Sequence, residues 1–234
     1  MLVLFWVIIK SMAQDFKIEG IYDQRTLKLL KQKGLRDFGF NFSPRSFNFI
    51  QEHIFLSDLI PLLDPLDRIH LHFDRSNDPM IKKVLEDLKK AGFNPENVYI
   101  DCDEWSEGPE TMGVKYYLTY HPELDISLCR GENFSGMIFN FSYFEELHQR
   151  NVLNNFISNF YTHFSKVLTD DKKIVLRMDW NSNIMPSLFD YFEFDLMSFS
   201  INSKIEVCYR NVDLKKLTTE MDLIKKNTHS LDNF

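Results

Sequence analysis

The stretch KIEGIYDQRTLKLLKQKGLRDFGFNFSPRSFNFI, Lys17 to Ile50, decides the fold. KIEGI is a short apolar run of β character. QRTLKLLKQKG carries leucines at helical spacing and ends on Gly34, which suits a helix cap. DFGFNF is a second strand, followed by a polar loop. Strand, helix, strand in this order is one βα unit of a parallel sheet. Glu19 stands at the end of the first strand, the edge where such sheets keep their reactive groups.

Outward from there the pattern repeats. SFNFIQEHIFLSDLIPLL carries a helical segment that ends near Pro61, and RIHLHF reads as a third strand. DPMIKKVLEDLKKAG is the clearest helix: Pro79 suits its first turn, Ile81, Val84, Leu85 and Leu88 share one face, and Gly92 ends it. NVYIDC, VKYYLTY, GMIFNF, KIVLRM and FDLMSFS supply strands four to eight. Helices are expected at Tyr143 to Phe164, Ile184 to Tyr191 and Leu214 to Lys225, whereas PELDISLCRG does not read as one. Eight strands in βα order predict an α/β fold, a single closed (βα)8 TIM barrel over residues 16–234, with its chemistry at the C-terminal ends of the strands.

Residues 1–15 read as an apolar N-terminal extension. The run Leu2 to Ile9 lacks a basic flank and falls far short of the ~20 residues a membrane span needs. Met12 begins MAQDFKIEGI just before the first strand, so an over-long start or an apolar tail is expected rather than a signal peptide.

Composition fits a globular chain with a large core: 44% of residues are hydrophobic and 26% charged. The 22 phenylalanines are expected to fill that core. A net charge of −7 without a basic stripe argues against nucleic-acid or anionic-membrane partners and leaves a small-molecule ligand as the expected partner. Oligomeric state stays open. Cys102, Cys129 and Cys208 are few, odd in number and far apart, which suits a reducing cytoplasm better than a disulfide framework.

KIEGI and GFNFSPRSFNFI resemble the first two strands of phosphoribosylanthranilate isomerase, the (βα)8 barrel of tryptophan biosynthesis, which read roughly K-I-C-G-I and G-F-x-F-x-P-x-S-x-R-x-I. The likeness holds at Lys17, Ile18, Gly20 and Ile21, then at Gly39, Phe40, Phe42, Pro44, Ser46 and Ile50. Later, YIDCDE stands where the family has Q-L-H-G-x-E. VLRMDWNSNI stands for L-A-G-G-L-N-P-E-N, and FDLMSFS for V-D-V-S-S-G, keeping Asp195 and Ser198.

The departures fall on the chemistry that the resemblance implies. The family isomerises a ribosylamine with a cysteine base on strand one and an aspartic acid on strand six; this chain has Glu19 and Asn140 there. A carboxylate in a barrel mouth can be raised toward neutrality by burial and act as a base. An amide has no transferable proton near neutral pH. The arginine of the family's second strand corresponds to Asn48, and its phosphate-binding glycines to Met178, Asp179 and Phe199. There an aspartate would repel a phosphate dianion and the two large side chains would block the close backbone approach that phosphate needs.

Glu19, Asp101, Asp103 or Glu104, Asn140 and Asp179 are expected to meet in an acidic mouth. Glu19, Asn140 and Asp179 are candidate catalytic residues; Asn48, Asp101, Arg177 and Ser198 are candidate ligand contacts. Arg177 can pair with Glu19 or Asp179. His70 and His72 share a strand face, but H-x-H spacing alone fixes no metal, and no cofactor is expected. Cys102, between two aspartates, reads as a packed thiol. Three functions stay open: a divergent barrel that has lost or changed the isomerase activity, a working isomerase with Glu19 as base and a carboxylate such as Asp179 as acid, and a metal-dependent enzyme using the acidic mouth.

Overall fold

The structure is a computed structural model that describes residues 15–105, 113–169, 171–180, 182, 188, 192 and 194–231. The strands are β1 (Asp15–Glu19), β2 (Asp37–Asn41), β3 (Arg68–Arg75), β4 (Val98–Glu104), β5 (Lys115–Thr119), β6 (Phe134–Asn140), β7 (Lys173–Met178) and β8 (Leu196–Ser200). All pair in parallel in sequence order, and β8 closes onto β1. The eight expected strands are the eight staves of the barrel. The apolar extension lies outside the described residues, apart from the start of β1.

Local signals set the helices. In α1 (Gln24–Gln32) the Asp23 carboxylate accepts from the Thr26 N–H at 3.0 Å, Leu27 and Leu30 are buried, and Gly34 follows at φ +82°. Asp78 does the same for α3 (Pro79–Lys90), accepting from the Met80 N–H at 2.8 Å, with Ile81, Val84 and Leu88 buried. Between them α2 (Glu52–Ile54) continues as a π turn (Phe55–Leu59) and a 3₁₀ turn (Ile60–Leu62), where Pro61 ends the run.

The long helix expected between β6 and β7 is two, α4 (Phe141–Gln149) and α5 (Leu153–Phe164). Asn151 breaks them at φ +55°, a conformation asparagine tolerates. Between β5 and β6 there is only a 3₁₀ turn (Ile126–Arg130), as the poor helical character of PELDISLCRG implied. The helix expected at Ile184 to Tyr191 falls outside the described residues apart from Leu188. A hairpin, β9 (Glu206–Cys208) and β10 (Asn211–Val212), precedes the last helix, α6 (Leu214–Leu231).

Apolar residues segregate into two clusters. The larger fills the shell between sheet and helices, where the rings of Phe139, Phe144, Phe160 and Phe192 meet in tilted and edge-on contacts. Most of the phenylalanines are core filler, as composition suggested; Phe47, 40% exposed, is an exception. The smaller cluster, Tyr99, Tyr117, Ile138, Val175 and Leu196, sits on inward-facing positions inside the barrel. It fills the interior on the β4 to β8 side. On the β1 to β4 side the interior is charged instead. Asp37 accepts from Arg68 Nε at 2.7 Å and lies 3.2 Å from His70 Nε2.

Candidate functional site

Two glycines make room at the mouth. Gly20, at φ +69°, turns the chain out of β1 where a Cβ would fall 1.8 Å from the Asn48 amide. Gly39, inward on β2, lies so close to Glu19 that a Cβ would sit 2.8 Å from its Cα. Glu19 therefore enters the mouth against bare backbone.

Its carboxylate is surrounded. Lys17, two residues earlier on the same strand face and almost wholly buried, places its ammonium 2.7 Å from Glu19 Oε1. Arg177 reaches from β7, its Nε 3.0 Å from Oε2 and its Nη2 3.3 Å from Oε1, and Ser200 Oγ donates to Oε2 at 3.2 Å. The expectation that burial raises Glu19 toward neutrality is overturned. Burial does push the carboxyl up, but the charges of Arg177 and Lys17 outweigh it and hold Glu19 well below the usual carboxylate range. Ser198, fully buried next to this group, is close enough to favour the charged form, yet its hydroxyl makes no hydrogen bond of normal geometry.

The network continues across the barrel. Arg177 Nη2 donates to Asp101 Oδ2 at 2.8 Å, and the same oxygen lies 3.2 Å from His72 Nδ1. His72 Nε2 is 3.5 Å from Asp103, and Thr119 donates to Asp101 Oδ1 at 3.3 Å. Burial on its own pushes Asp101 up and His72 down; the charges of Arg177 and His72 reverse the first, holding Asp101 well below its ordinary value. Hydrogen bonds and charge from Asp101 and Asp103 reverse the second and push His72 up to about 10. His70, deeper and more buried, is pushed down to about 4 by burial and by Lys17.

These groups line a cavity of about 280 Å³ over β1 to β4. It is not the acidic mouth expected from sequence, because Lys17, Arg177 and the His72 imidazolium stand against Glu19, Asp101 and Asp103. Asn48 also lines it but is held at both ends: its amide donates to the Ile201 carbonyl at 2.9 Å and its oxygen accepts from Asn41 at 2.8 Å. The expected ligand contact is a latch joining the loops after β2 and β8.

A second cavity, of about 430 Å³, opens over β6 to β8 and shares Arg177 and Ser200 with the first. Asn140 and Asp179 are here, so the expected acidic residues are split between two cavities. Asp179 does not pair with Arg177, since β7 ends at Met178 and the chain turns away. It pairs with Lys204, accepts from Asn202 at 3.3 Å and caps the Trp180 N–H at 2.9 Å. Burial pushes its carboxyl up, but these hydrogen bonds hold it below its ordinary value.

Met178 and Phe199, paired in register on adjacent strands, both belong to the core of the helix shell, where Phe199 packs on Trp180 at 5.0 Å; Phe199 lines neither cavity, whereas Met178 also lines the second. Glu104 pairs with Arg75 at the surface, 3.0 Å away, and Asp195 accepts from the Ile174 N–H at the opposite end of the barrel. Cys102 is buried and its thiol pushed up by burial and Asp101, as a packed thiol should be. Among the described residues no group of three or more His, Cys, Asp and Glu side chains is arranged to hold a metal ion, and no helix is long and apolar enough to cross a membrane.

Sequence reading missed Lys17, His72, Ser200 and Lys204 as members of the mouth. Lys17 was within reach, because it alternates with Glu19 along β1.

The fold is similar to that of phosphoribosylanthranilate isomerases. A monomeric form of the dimeric enzyme from Thermotoga maritima matches 88% of this chain and 96% of its own with a TM-score of 0.57 at 16% identity. TrpF from Jonesia denitrificans matches 89% and 95% with a TM-score of 0.56 at 12% identity. The Thermus thermophilus enzyme matches 90% and 99% with a TM-score of 0.54 at 14% identity. One similar isomerase structure, at a TM-score of 0.55 and 16% identity, holds reduced 1-(o-carboxyphenylamino)-1-deoxyribulose 5-phosphate. No protein-family model matches the chain, and no curated protein sequence does. What is shared at these identities is the fold.

Proposed function

We propose that this chain is a phosphoribosylanthranilate isomerase-like barrel that does not carry out the isomerisation and uses its mouth for a different small molecule. The observation that carries this reading is Arg177 bridging Glu19 and Asp101, 3.0 and 2.8 Å from each. A general base must take up and release a proton near the working pH. Glu19, in the place of the base, is held as an anion with both oxygens occupied. Asn140, in the place of the acid, has no proton to give.

A working isomerase would need another acid. Asp179 is the candidate, and it is tied to Lys204 and held below its ordinary pKa in the other cavity. A metal-dependent enzyme would need free carboxylates, and those of Glu19 and Asp101 are already paired with cations.

Complementation tests the reading. Expressed from Met12 in a host lacking phosphoribosylanthranilate isomerase, the protein is expected to be soluble and to give no growth without tryptophan. The double variant Glu19→Cys, Asn140→Asp is expected to give none either. Growth with the unmodified chain would overturn the proposal.

A further inference from the structure

We infer that the cavity over β6 to β8 binds a small carboxylate, held between Arg177 and Asn140. This rests on the reading that the mouth has changed its ligand, and it names the class. Arg177 spends Nε and Nη2 on Glu19 and Asp101, contacts of 2.8 to 3.3 Å that hold the guanidinium on two edges. Its third nitrogen, Nη1, has no hydrogen-bond partner among the described residues.

Asn140 stands beside it, its register partner across β6 and β7. It begins α4 without using its side chain as a cap, and neither end of its amide has a partner among the described residues. In the same mouth Asn48 is bonded at both ends, so the open amide is particular to this position. Both residues line one cavity of about 430 Å³, a volume ordinary for a small-molecule site.

A guanidinium fork and a neutral amide N–H are suited to a planar carboxylate. Because the two carboxylates already fix the fork, little side-chain freedom is lost on binding. The charge elsewhere in the cavity selects against phosphate: Glu145 and Asp179 line it, and Lys204 is spent on Asp179. A dianion would meet both carboxylates, whereas a monocarboxylate is met by Arg177, and an amino group on the same ligand finds Glu145.

Titration of the full-length protein with benzoate, 4-aminobutyrate and inorganic phosphate, followed by thermal shift and calorimetry, tests this. At least one carboxylate is expected to bind and raise the melting temperature, with no shift from phosphate. Asn140→Ala should weaken that carboxylate by roughly tenfold or more, as loss of one hydrogen bond to a charged group does, while the melting temperature without ligand stays unchanged. Absence of any carboxylate shift would overturn the inference, as would carboxylate binding unaffected by Asn140→Ala, or phosphate binding abolished by Lys204→Ala. Growth in the complementation assay would instead overturn the proposed function and leave a carboxylate result standing.

Discussion

The two cavities of the mouth share Arg177 as a wall and differ in how the residues at their strand ends are engaged, the charges over β1 to β4 being cross-linked from strand to strand and the Asn140 amide over β6 to β8 being open. Over β1 to β4 each charge is answered by another: Lys17 and Arg177 by Glu19, Arg177 and His72 by Asp101. Over β6 to β8 the Asn140 amide is unengaged. Groups bonded to each other hold the barrel together and, apart from the remaining Nη1 of Arg177, have little left for a ligand. Unengaged groups contribute nothing to folding and remain available. One barrel thus keeps a structural half and a receptive half side by side.

The largest expected effect breaks the structural half. Arg177→Met leaves Glu19 and Asp101 buried without their shared cation, and a loss of about 3–5 kcal/mol in urea denaturation is expected. A loss under 1 kcal/mol would mean that the bridge is not what holds these carboxylates.

His72 comes next, and its contribution has a sign in pH. Its pKa is raised from 6.5 to about 10, so its stabilisation is fully present below the unfolded value and fades as pH rises toward the folded one. Glu19 and Asp101 are depressed, so theirs is present above the ordinary carboxylate range and fades as pH falls through their folded values. His72→Gln should cost about 2–3 kcal/mol near pH 6, with the gap to the unmodified protein closing by pH 10. Urea midpoints measured across that range would show it; a gap independent of pH would refute the imidazolium.

Asparagine offers the finest comparison, since the same residue type stands in both halves. Asn48→Ala removes bonds to Asn41 and Ile201 and should cost about 1–3 kcal/mol. Asn140→Ala removes none and should change stability by less than about 0.5 kcal/mol. Equal costs in thermal unfolding would erase the distinction between the halves.

The barrel was legible because βα alternation is local: each strand and most helices carry their own apolar period and caps. The inward face was legible as well, through the period of two that puts Lys17 with Glu19 and Arg177 opposite Ser198. Phe199 was misread because the comparison with glycines in the resembling family overrode that alternation, which already placed it outward. What local pattern could not supply was reach across the closed barrel. Arg177 meets Asp101 from β7 to β4, and Asp179 leaves the face it shares with Arg177 because β7 stops one residue earlier. Glu19 and its pairing with Arg177 were both legible, but its protonation was misjudged because burial was weighed without the charges of Arg177 and of Lys17, which alternates with it on β1.

The measurement that goes most directly to the proposed loss of isomerisation is turnover of phosphoribosylanthranilate by the purified, folded chain, compared with the Glu19→Gln variant. The expected result is no conversion above the uncatalysed rate for either protein. Conversion by the unmodified chain that disappears in Glu19→Gln would contradict it, showing that a carboxylate paired with both Lys17 and Arg177 still moves a proton.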